Sequence, residues 1–210
     1  MRVVVLMRLP FLFLFVLALA SCAAPAPRPD EAELEQRWAA HSRLLQQLSV
    51  WELRARFAVR VDEQGGQAAL VWQHFADHQS LRLNGPLGRG VVRITQDAQG
   101  ARLVDAEQRT TTAASIEELL WQVTGWQLPV SSLAWWIRGL PVPGPAVTRE
   151  LDERGRLQQL RQHGWTVQYS DYRPVADVEL PGHITLTRAA TAQGPEMEVR
   201  FVIERWSGVK

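Results

Sequence analysis

The feature that most constrains the fold is an alternation of apolar and charged residues with a period of two. Over Trp51–Val61 apolar residues occupy every second position, and most of the residues between them are arginines. Because successive side chains of a β-strand point to opposite faces, this pattern predicts a long strand with one buried face. We expect Gly65 and Gly66 to form the turn that follows it.

Shorter runs repeat the alternation, with turn residues between them. Before residue 105 they include Ala68–Trp72, Leu81–Leu83, Val92–Ile94 and Leu103–Val104. After residue 155 they include Leu157–Leu160, Trp165–Tyr169, Ile184–Leu186 and Met197–Ile203. Consecutive strands without intervening helices form antiparallel meanders. The chain is therefore predicted to be mainly β with some α, built on one strongly curved antiparallel sheet.

Helical signals occur before the first strand and in the middle of the chain. An N-terminal amphipathic helix is expected after Asp30, with its apolar face formed by Leu34, Trp38, Leu45 and Leu48. In the middle, Ser115 and Glu118 have capping-box spacing, and Gly125 is a stop signal. A second helix of this insert is expected to follow Ser131 or Ser132 and to end near Gly139. These helices can cover the apolar face of the sheet.

The first residues have the pattern of a secretion signal. Arg2 and Arg8 come before or at the start of a nearly continuous apolar run, Leu9–Ala20. The run is shorter than the roughly 20 residues that a membrane-crossing helix needs. A Pro/Ala-rich stretch follows it, so cleavage of the segment is expected.

Residues 19–22, Leu-Ala-Ser-Cys, resemble the bacterial lipobox, in which the cysteine receives a lipid and becomes the first residue of the mature protein. Cys22 is therefore the expected lipid attachment site. In proteins with this motif, Asp after the cysteine keeps the protein in the inner membrane, and the residue here is Ala23. The expected organisation is a signal at 1–21, a flexible tether at 22–29 and one domain at 30–210.

The residues that carry catalysis or bind cofactors in other proteins form no convincing pattern here. The chain has 23 basic and 22 acidic residues, scattered along its length, so no basic surface for nucleic acid is expected. His74 and His78 flank a predicted turn and lack further ligands, so we expect no metal site. Neither a phosphate-binding glycine loop nor a nucleophile elbow is present. We expect neither an enzyme nor a cofactor.

Two apolar features need another explanation. Four of the nine tryptophans fall in the helical insert, at Trp121, Trp126, Trp135 and Trp136. They can belong to a filled core, or they can line a cavity left by a curved sheet, and sequence pattern alone leaves both possibilities open. In addition, Leu87 is the one large apolar residue of a Pro/Gly turn between two predicted strands.

Taken together, the lipobox, the strand containing Arg56, Phe57 and Ala58, the loop at 85–88 (Gly-Pro-Leu-Gly) and the segment at 132–141 (Ser-Leu-Ala-Trp-Trp-Ile-Arg-Gly-Leu-Pro) resemble the LolB family of outer-membrane lipoprotein receptors. The resemblance covers nearly the whole chain. It implies an incomplete antiparallel barrel, with helices over a hydrophobic cavity that accepts the acyl chains of a lipoprotein. It also implies a periplasmic partner, the carrier LolA, and a role for Leu87 in passing cargo into outer-membrane lipid.

Alternation of the side chains identifies the residues expected to face this cavity. They are Leu53, Phe57, Val59, Leu81, Leu83, Val92 and Ile94 on the strands, and Leu120, Val123, Trp136, Ile137 and Leu140 on the helices. The expected protein is a monomer, anchored by lipid in the outer membrane and facing the periplasm. Two alternatives remain: a soluble carrier of the same fold, and a lipid-anchored scaffold with a filled core.

Overall fold

A computed structural model of the chain describes residues 29–85, 90–144, 147–192 and 194–209. Its helices are α1 (Glu31–Gln47), α2 (Ile116–Thr124) and α3 (Val130–Trp136). Its strands before the helical insert are β1 (Trp51–Val61), β2 (Gln64–His74), β3 (Gln79–Asn84), β4 (Val91–Asp97), β5 (Gly100–Val104) and β6 (Thr110–Ala113). After the insert they are β7 (Thr148–Leu151), β8 (Leu157–Gln162), β9 (Trp165–Ser170), β10 (Arg173–Val175), β11 (Val178–Leu180), β12 (His183–Arg188) and β13 (Met197–Ser207).

Eleven strands form one antiparallel sheet in the order β6-β5-β4-β3-β2-β1-β13-β12-β9-β8-β7. The last strand of the chain, β13, pairs with the first, β1, so that Phe57 lies opposite Phe201. The two outer strands, β6 and β7, do not pair with each other, so the sheet stays open. The predicted mainly-β fold with a single antiparallel sheet is confirmed, and an incomplete barrel is consistent with it.

The first helix was correctly predicted. Asp30 caps it by accepting a hydrogen bond from the Glu33 backbone N–H at 2.8 Å. Trp38 and Leu45 are buried on its inner face. A salt bridge between Glu35 and Arg149 ties the helix to β7.

The first helix of the insert, α2, has the predicted Ser115 cap, and Glu118 completes a variant of the capping box by binding the residue before the cap. The Ser115 hydroxyl accepts from the Glu118 N–H, and the Glu118 carboxylate accepts from the Ala114 N–H at 3.1 Å. Gly125 ends the helix in the left-handed conformation, with φ of 71°.

The start of α3 differs from the prediction. The helix begins at Val130, two or three residues earlier than expected, and neither serine caps it. Instead, the carboxylate of Glu117 on α2 accepts hydrogen bonds from the N–H and the hydroxyl of Ser131, at 2.6 and 2.7 Å. A contact between the two helices therefore replaces the expected local cap.

The predicted turn at Gly65 and Gly66 is wrong. The chain turns at Asp62 and Glu63, with Asp62 at φ of 51°, and both glycines lie in β2, opposite Arg60 and Val59. A Cβ atom on Gly65 would come within 2.7 Å of the Val59 carbonyl oxygen. This glycine therefore permits a close approach of two backbones, which is the other common reason for glycine in a strand.

Candidate functional site

The curved sheet and the helical insert enclose an apolar cavity of about 300 Å³. The strand residues around it are Phe57, Leu70, Trp72, Leu81, Leu83, Val92, Ile94, Leu103, Thr111, Val199 and Phe201. The other residues around it are Asp105, Leu120, Val123, Thr124, Trp126, Leu128, Val130 and Leu133, which belong to the helices and the connecting segments. The lining is therefore aliphatic and aromatic, with a few polar side chains near its edge.

Pairing between adjacent strands places the lining residues of the sheet side by side. Leu81 lies opposite Ile94, and Leu83 lies opposite both Leu70 and Val92, on the three neighbouring strands β2, β3 and β4. Across the next strands, the rings of Phe57 and Phe201 stack with centroids 6.1 Å apart. Because residues that alternate along each strand share one face, adjacent strands build a continuous apolar wall.

The helical side of the cavity is less complete. Leu120 and Val123 reach it from α2, and Val130 and Leu133 reach it from α3. Val123 keeps 51% of its surface exposed although it lines the cavity, and Trp121 on the same helix is 53% exposed. The helix α2 thus covers the cavity without closing it off from solvent.

The structure brings seven of the twelve residues expected at the cavity to its lining. These are Phe57, Leu81, Leu83, Val92, Ile94, Leu120 and Val123. Cys22 and Leu87, the expected sites of lipid attachment and membrane contact, lie outside the described residues.

The other five residues, Leu53, Val59, Trp136, Ile137 and Leu140, are buried in the core and do not line the cavity. The Trp136 indole N–H donates to the Gln162 side-chain oxygen at 3.0 Å, so this ring is directed towards β8. Leu53 lies opposite Trp72 and Trp206, whose side chains occupy the space around it. Facing inward is therefore necessary for lining the cavity, but it is not sufficient.

Several lining residues were absent from the predicted set. Leu70, Leu103, Val199 and Phe201 follow the same alternation as the predicted residues, so the pattern itself would have identified them. By contrast, Trp126 and Leu128 lie in the segment between α2 and α3, which has no regular period.

Beside the cavity, the buried side chain of Arg138 joins the insert to α1. Its surface is 6% exposed. Its guanidinium donates to the carbonyl oxygens of Ala134 at 3.0 Å, Leu48 at 2.8 Å and, more weakly, Leu45 at 3.4 Å. It also lies 5.0 Å from the centre of the Trp135 ring. Burial lowers the pKa of Arg138 to about 10, so it stays charged at neutral pH.

The carbonyl oxygens of Leu45 and Leu48 lie at the C-terminal end of α1, where the aligned backbone dipoles leave partial negative charge; that of Leu45 also accepts from the Leu48 N–H at 3.2 Å. This end of α1 therefore supplies acceptors for a buried cation. Through Arg138, the helix that follows the expected tether is held to the segment that follows α3.

The chemistry available at the cavity is apolar binding. Among the described residues, no group of three His, Cys, Asp or Glu side chains is arranged to hold a metal ion. No described helix is long and apolar enough to cross a membrane. An alkyl chain placed in the cavity would gain roughly 0.8 kcal/mol for each methylene removed from water.

Comparisons with known proteins agree with this geometry. The family model described as outer membrane lipoprotein LolB matches residues 49–206. The outer-membrane lipoprotein LolB of Pseudomonas putida (strain W619) is 39% identical over 171 residues, which cover 81% of this chain and 80% of that protein. That of Pseudomonas aeruginosa (strain LESB58) is 35% identical with the same coverage.

Among solved structures, a LolA superfamily protein from Nitrosomonas europaea is similar in fold. The TM-score is 0.51 at 8% sequence identity, and the match covers 83% of this chain and 92% of that chain. At this identity the likeness concerns the fold alone. On the sequence matches, this chain belongs to the LolB family of outer-membrane lipoproteins.

Proposed function

We propose that this protein is a lipid-anchored receptor that accepts lipoproteins from the soluble periplasmic carrier LolA and inserts them into the outer membrane. Membership of the LolB family supports a role in lipoprotein localisation. The observation that carries the finer proposal is the apolar cavity of about 300 Å³, which is only partly covered by α2. A scaffold with a filled core would have no need of it.

The role of the cavity follows from the cost of exposing acyl chains to water. Each exposed methylene costs about 0.8 kcal/mol, so a lipoprotein crossing an aqueous compartment needs an apolar host throughout. Since the chain contains no nucleotide-binding motif, we propose that transfer runs towards successively better apolar hosts and ends in the bilayer. The seven predicted residues that line the cavity would contact the acyl chains.

Two residues outside the described parts complete the proposal. Cys22 would carry the lipid that keeps the cavity near the membrane, with residues 22–29 as its tether. Leu87 would contact the bilayer when cargo leaves the cavity. Both roles follow from the family resemblance and from the sequence around each residue.

The cavity can be tested with two variants of adjacent residues. Val92 lines the cavity, whereas Val91 precedes it in β4 and points to the opposite face. Val92→Trp should fill part of the cavity and reduce uptake of fluorescently labelled lipoprotein from purified, loaded carrier. Val91→Trp adds the same side chain to the outer face and should leave uptake unchanged.

Both variants must unfold at denaturant concentrations close to that of the unaltered protein, which shows that they are folded. If folded Val92→Trp protein takes up cargo at the normal rate, the cavity is not the acyl-chain site and the scaffold alternative is favoured. Leu87→Glu tests the later step: it should accept cargo normally and release it slowly into liposomes. Normal release would remove the role proposed for Leu87.

A further inference from the structure

The outer face of the sheet, opposite to the cavity, carries a row of arginines. Arg54 on β1, Arg82 on β3, Arg93 on β4 and Arg205 on β13 are all exposed. On β1, β3 and β4 they alternate with residues that face inward, such as Leu53, Leu81 and Ile94.

Strand register places these four arginines in one line across the sheet. Arg205 lies directly opposite Arg54, and Arg82 lies directly opposite Arg93, while Val71 on β2 stands between the two pairs. Neighbouring strands are about 4.8 Å apart, so the line spans roughly 20 Å. We call these four residues the arginine row.

The arginine row is poorly neutralised within the protein. Arg54 is 3.4 Å from Glu52, a carboxylate that also accepts hydrogen bonds from Gln73 and Ser207. Arg82, Arg93 and Arg205 form neither an ion pair nor a side-chain hydrogen bond with any residue that the structure describes. Like charges directly opposite each other in a sheet destabilise it, so the two arginine pairs carry a cost.

Other arginines of β1 and β13 do have acidic partners. Arg56 is 3.0 Å from Glu204, and Arg60 is 3.2 Å from Glu198, which also pairs with Arg200. Charge is therefore balanced over the part of β1 and β13 nearer the Val61–Met197 pair, and it is left positive along the arginine row. Alignment of four arginines with so little neutralisation, rather than the lack of an ion pair at any one of them, indicates an anionic partner outside the chain.

We propose that the arginine row binds the phosphate groups of anionic phospholipids at the membrane surface. A guanidinium matches a phosphate group with two parallel hydrogen bonds, and each basic side chain near an anionic bilayer strengthens binding about fivefold, which corresponds to about 1 kcal/mol. A row of equal charges on neighbouring strands fits a surface made of repeated anionic headgroups.

The position of the row in the chain favours a membrane over an acidic protein. This step rests on the proposed lipid at Cys22: six residues separate it from Pro29, and the seven Cα–Cα steps between them reach about 25 Å when fully extended. The fold is thus kept within about one domain diameter of the bilayer.

The connection between β3 and β4 adds a second reason. Arg82 and Arg93 are each three residues from its base, where the Gly85 N–H donates to the Gly90 carbonyl at 3.3 Å. Three residues of strand correspond to about 10 Å. The two arginines therefore lie close to the connection that carries Leu87 in the sequence, the residue proposed to touch the bilayer.

The test uses the full lipidated chain reconstituted into vesicles, without carrier or cargo. The vesicles contain either phosphatidylcholine alone or phosphatidylcholine mixed with phosphatidylglycerol. Modification of each arginine by phenylglyoxal is followed by mass spectrometry. On the anionic vesicles, Arg82 and Arg93 should be modified several-fold more slowly than on neutral ones, and high salt should abolish the difference.

Matched controls come from two exposed arginines elsewhere in the fold, Arg43 on α1 and Arg161 on β8, whose modification should be equal on the two vesicles. Arg82→Gln should restore the modification rate of Arg93 on anionic vesicles, and an Arg43→Gln, Arg161→Gln double variant should not. Equal reaction of Arg82 and Arg93 on both vesicles overturns the proposal. The proposal is also overturned if added carrier alone protects Arg82 and Arg93 from modification on neutral vesicles, since that result would assign the arginine row to a protein partner.

This readout is independent of cargo transfer. If the chain failed to remain with neutral vesicles, the proposed anchor at Cys22 would be wrong. If it remained with them but took no cargo from the carrier, the receptor proposal would fail while the protection of the arginine row could still be measured.

Discussion

Replacement of Arg138 by methionine tests how the insert is joined to α1. Methionine has a similar length and no charge, so the change removes the hydrogen bonds and most of the desolvation cost while retaining packing. Two of the three hydrogen bonds, to Leu48 and Ala134, are at 2.8 and 3.0 Å. Hydrogen bonds from a charged donor contribute about 1.5 to 3 kcal/mol each, so their loss costs roughly 3 to 6 kcal/mol.

Relief of desolvation acts in the opposite direction. Burial lowers the pKa of Arg138 from 12.5 to about 10. At about 1.4 kcal/mol for each pKa unit, this corresponds to a cost of about 3 kcal/mol that methionine would not have. These two figures leave a loss of about 0 to 3 kcal/mol. With about 1 kcal/mol more for the weaker hydrogen bond to Leu45 at 3.4 Å, we expect Arg138→Met to lower the free energy of unfolding by about 1 to 4 kcal/mol.

Equilibrium unfolding in urea, followed by tryptophan fluorescence, measures this difference. Arg43→Met is the matched control, because Arg43 is exposed on α1 and forms no ion pair with the described residues; its effect should stay within about 0.5 kcal/mol. An Arg138→Met protein as stable as the unaltered one would refute the reasoning, since it would show that desolvation cancels the contribution of the hydrogen bonds.

Three further predictions concern single side chains. Ser115→Ala removes the α2 cap and should lower the free energy of unfolding by about 1 kcal/mol in urea titrations; an unchanged midpoint would contradict the capping role. Gln162→Leu leaves the Trp136 indole N–H and the Val142 backbone without partners and should cost about 2 to 4 kcal/mol, measured in the same way. Burial lowers the pKa of the His41 imidazole below its ordinary value of 6.5. As the pH falls through 6.5, the unfolded chain therefore takes up a proton that the folded chain does not. The free energy of unfolding should decrease over this range, and the decrease should be smaller in His41→Phe.

Regular patterns in the sequence predicted much of the fold. Alternation over Trp51–Val61 corresponds to β1, and the capping box at Ser115 and Glu118 corresponds to the start of α2. These signals are local, because the strand period and the cap depend on residues close together in the chain. The short strand β6, with the sequence Thr-Thr-Thr-Ala, lacks apolar alternation and depends on pairing with β5.

Glycine and serine show where local reasoning was insufficient. Gly65 is a residue type typical of turns, yet its role is to let β2 pass close to the Val59 carbonyl. Ser131 is a residue type that often caps helices, yet it donates to Glu117 on another helix. In each case the deciding partner is in a different element, so no window of sequence around the residue contains it.

The cavity residues, too, were determined partly by local sequence and partly by tertiary structure. Alternation by itself determined which side chains face inward, and this was enough to select Phe57, Leu81 and Ile94. Tertiary structure decided which inward side chains border empty space. Leu53 and Trp136 are fully buried beside large neighbours, whereas Leu83 lines the cavity that α2 covers only in part. A cavity is a property of how elements are spaced in three dimensions, and that spacing depends on sheet curvature and helix position, which no local pattern specifies.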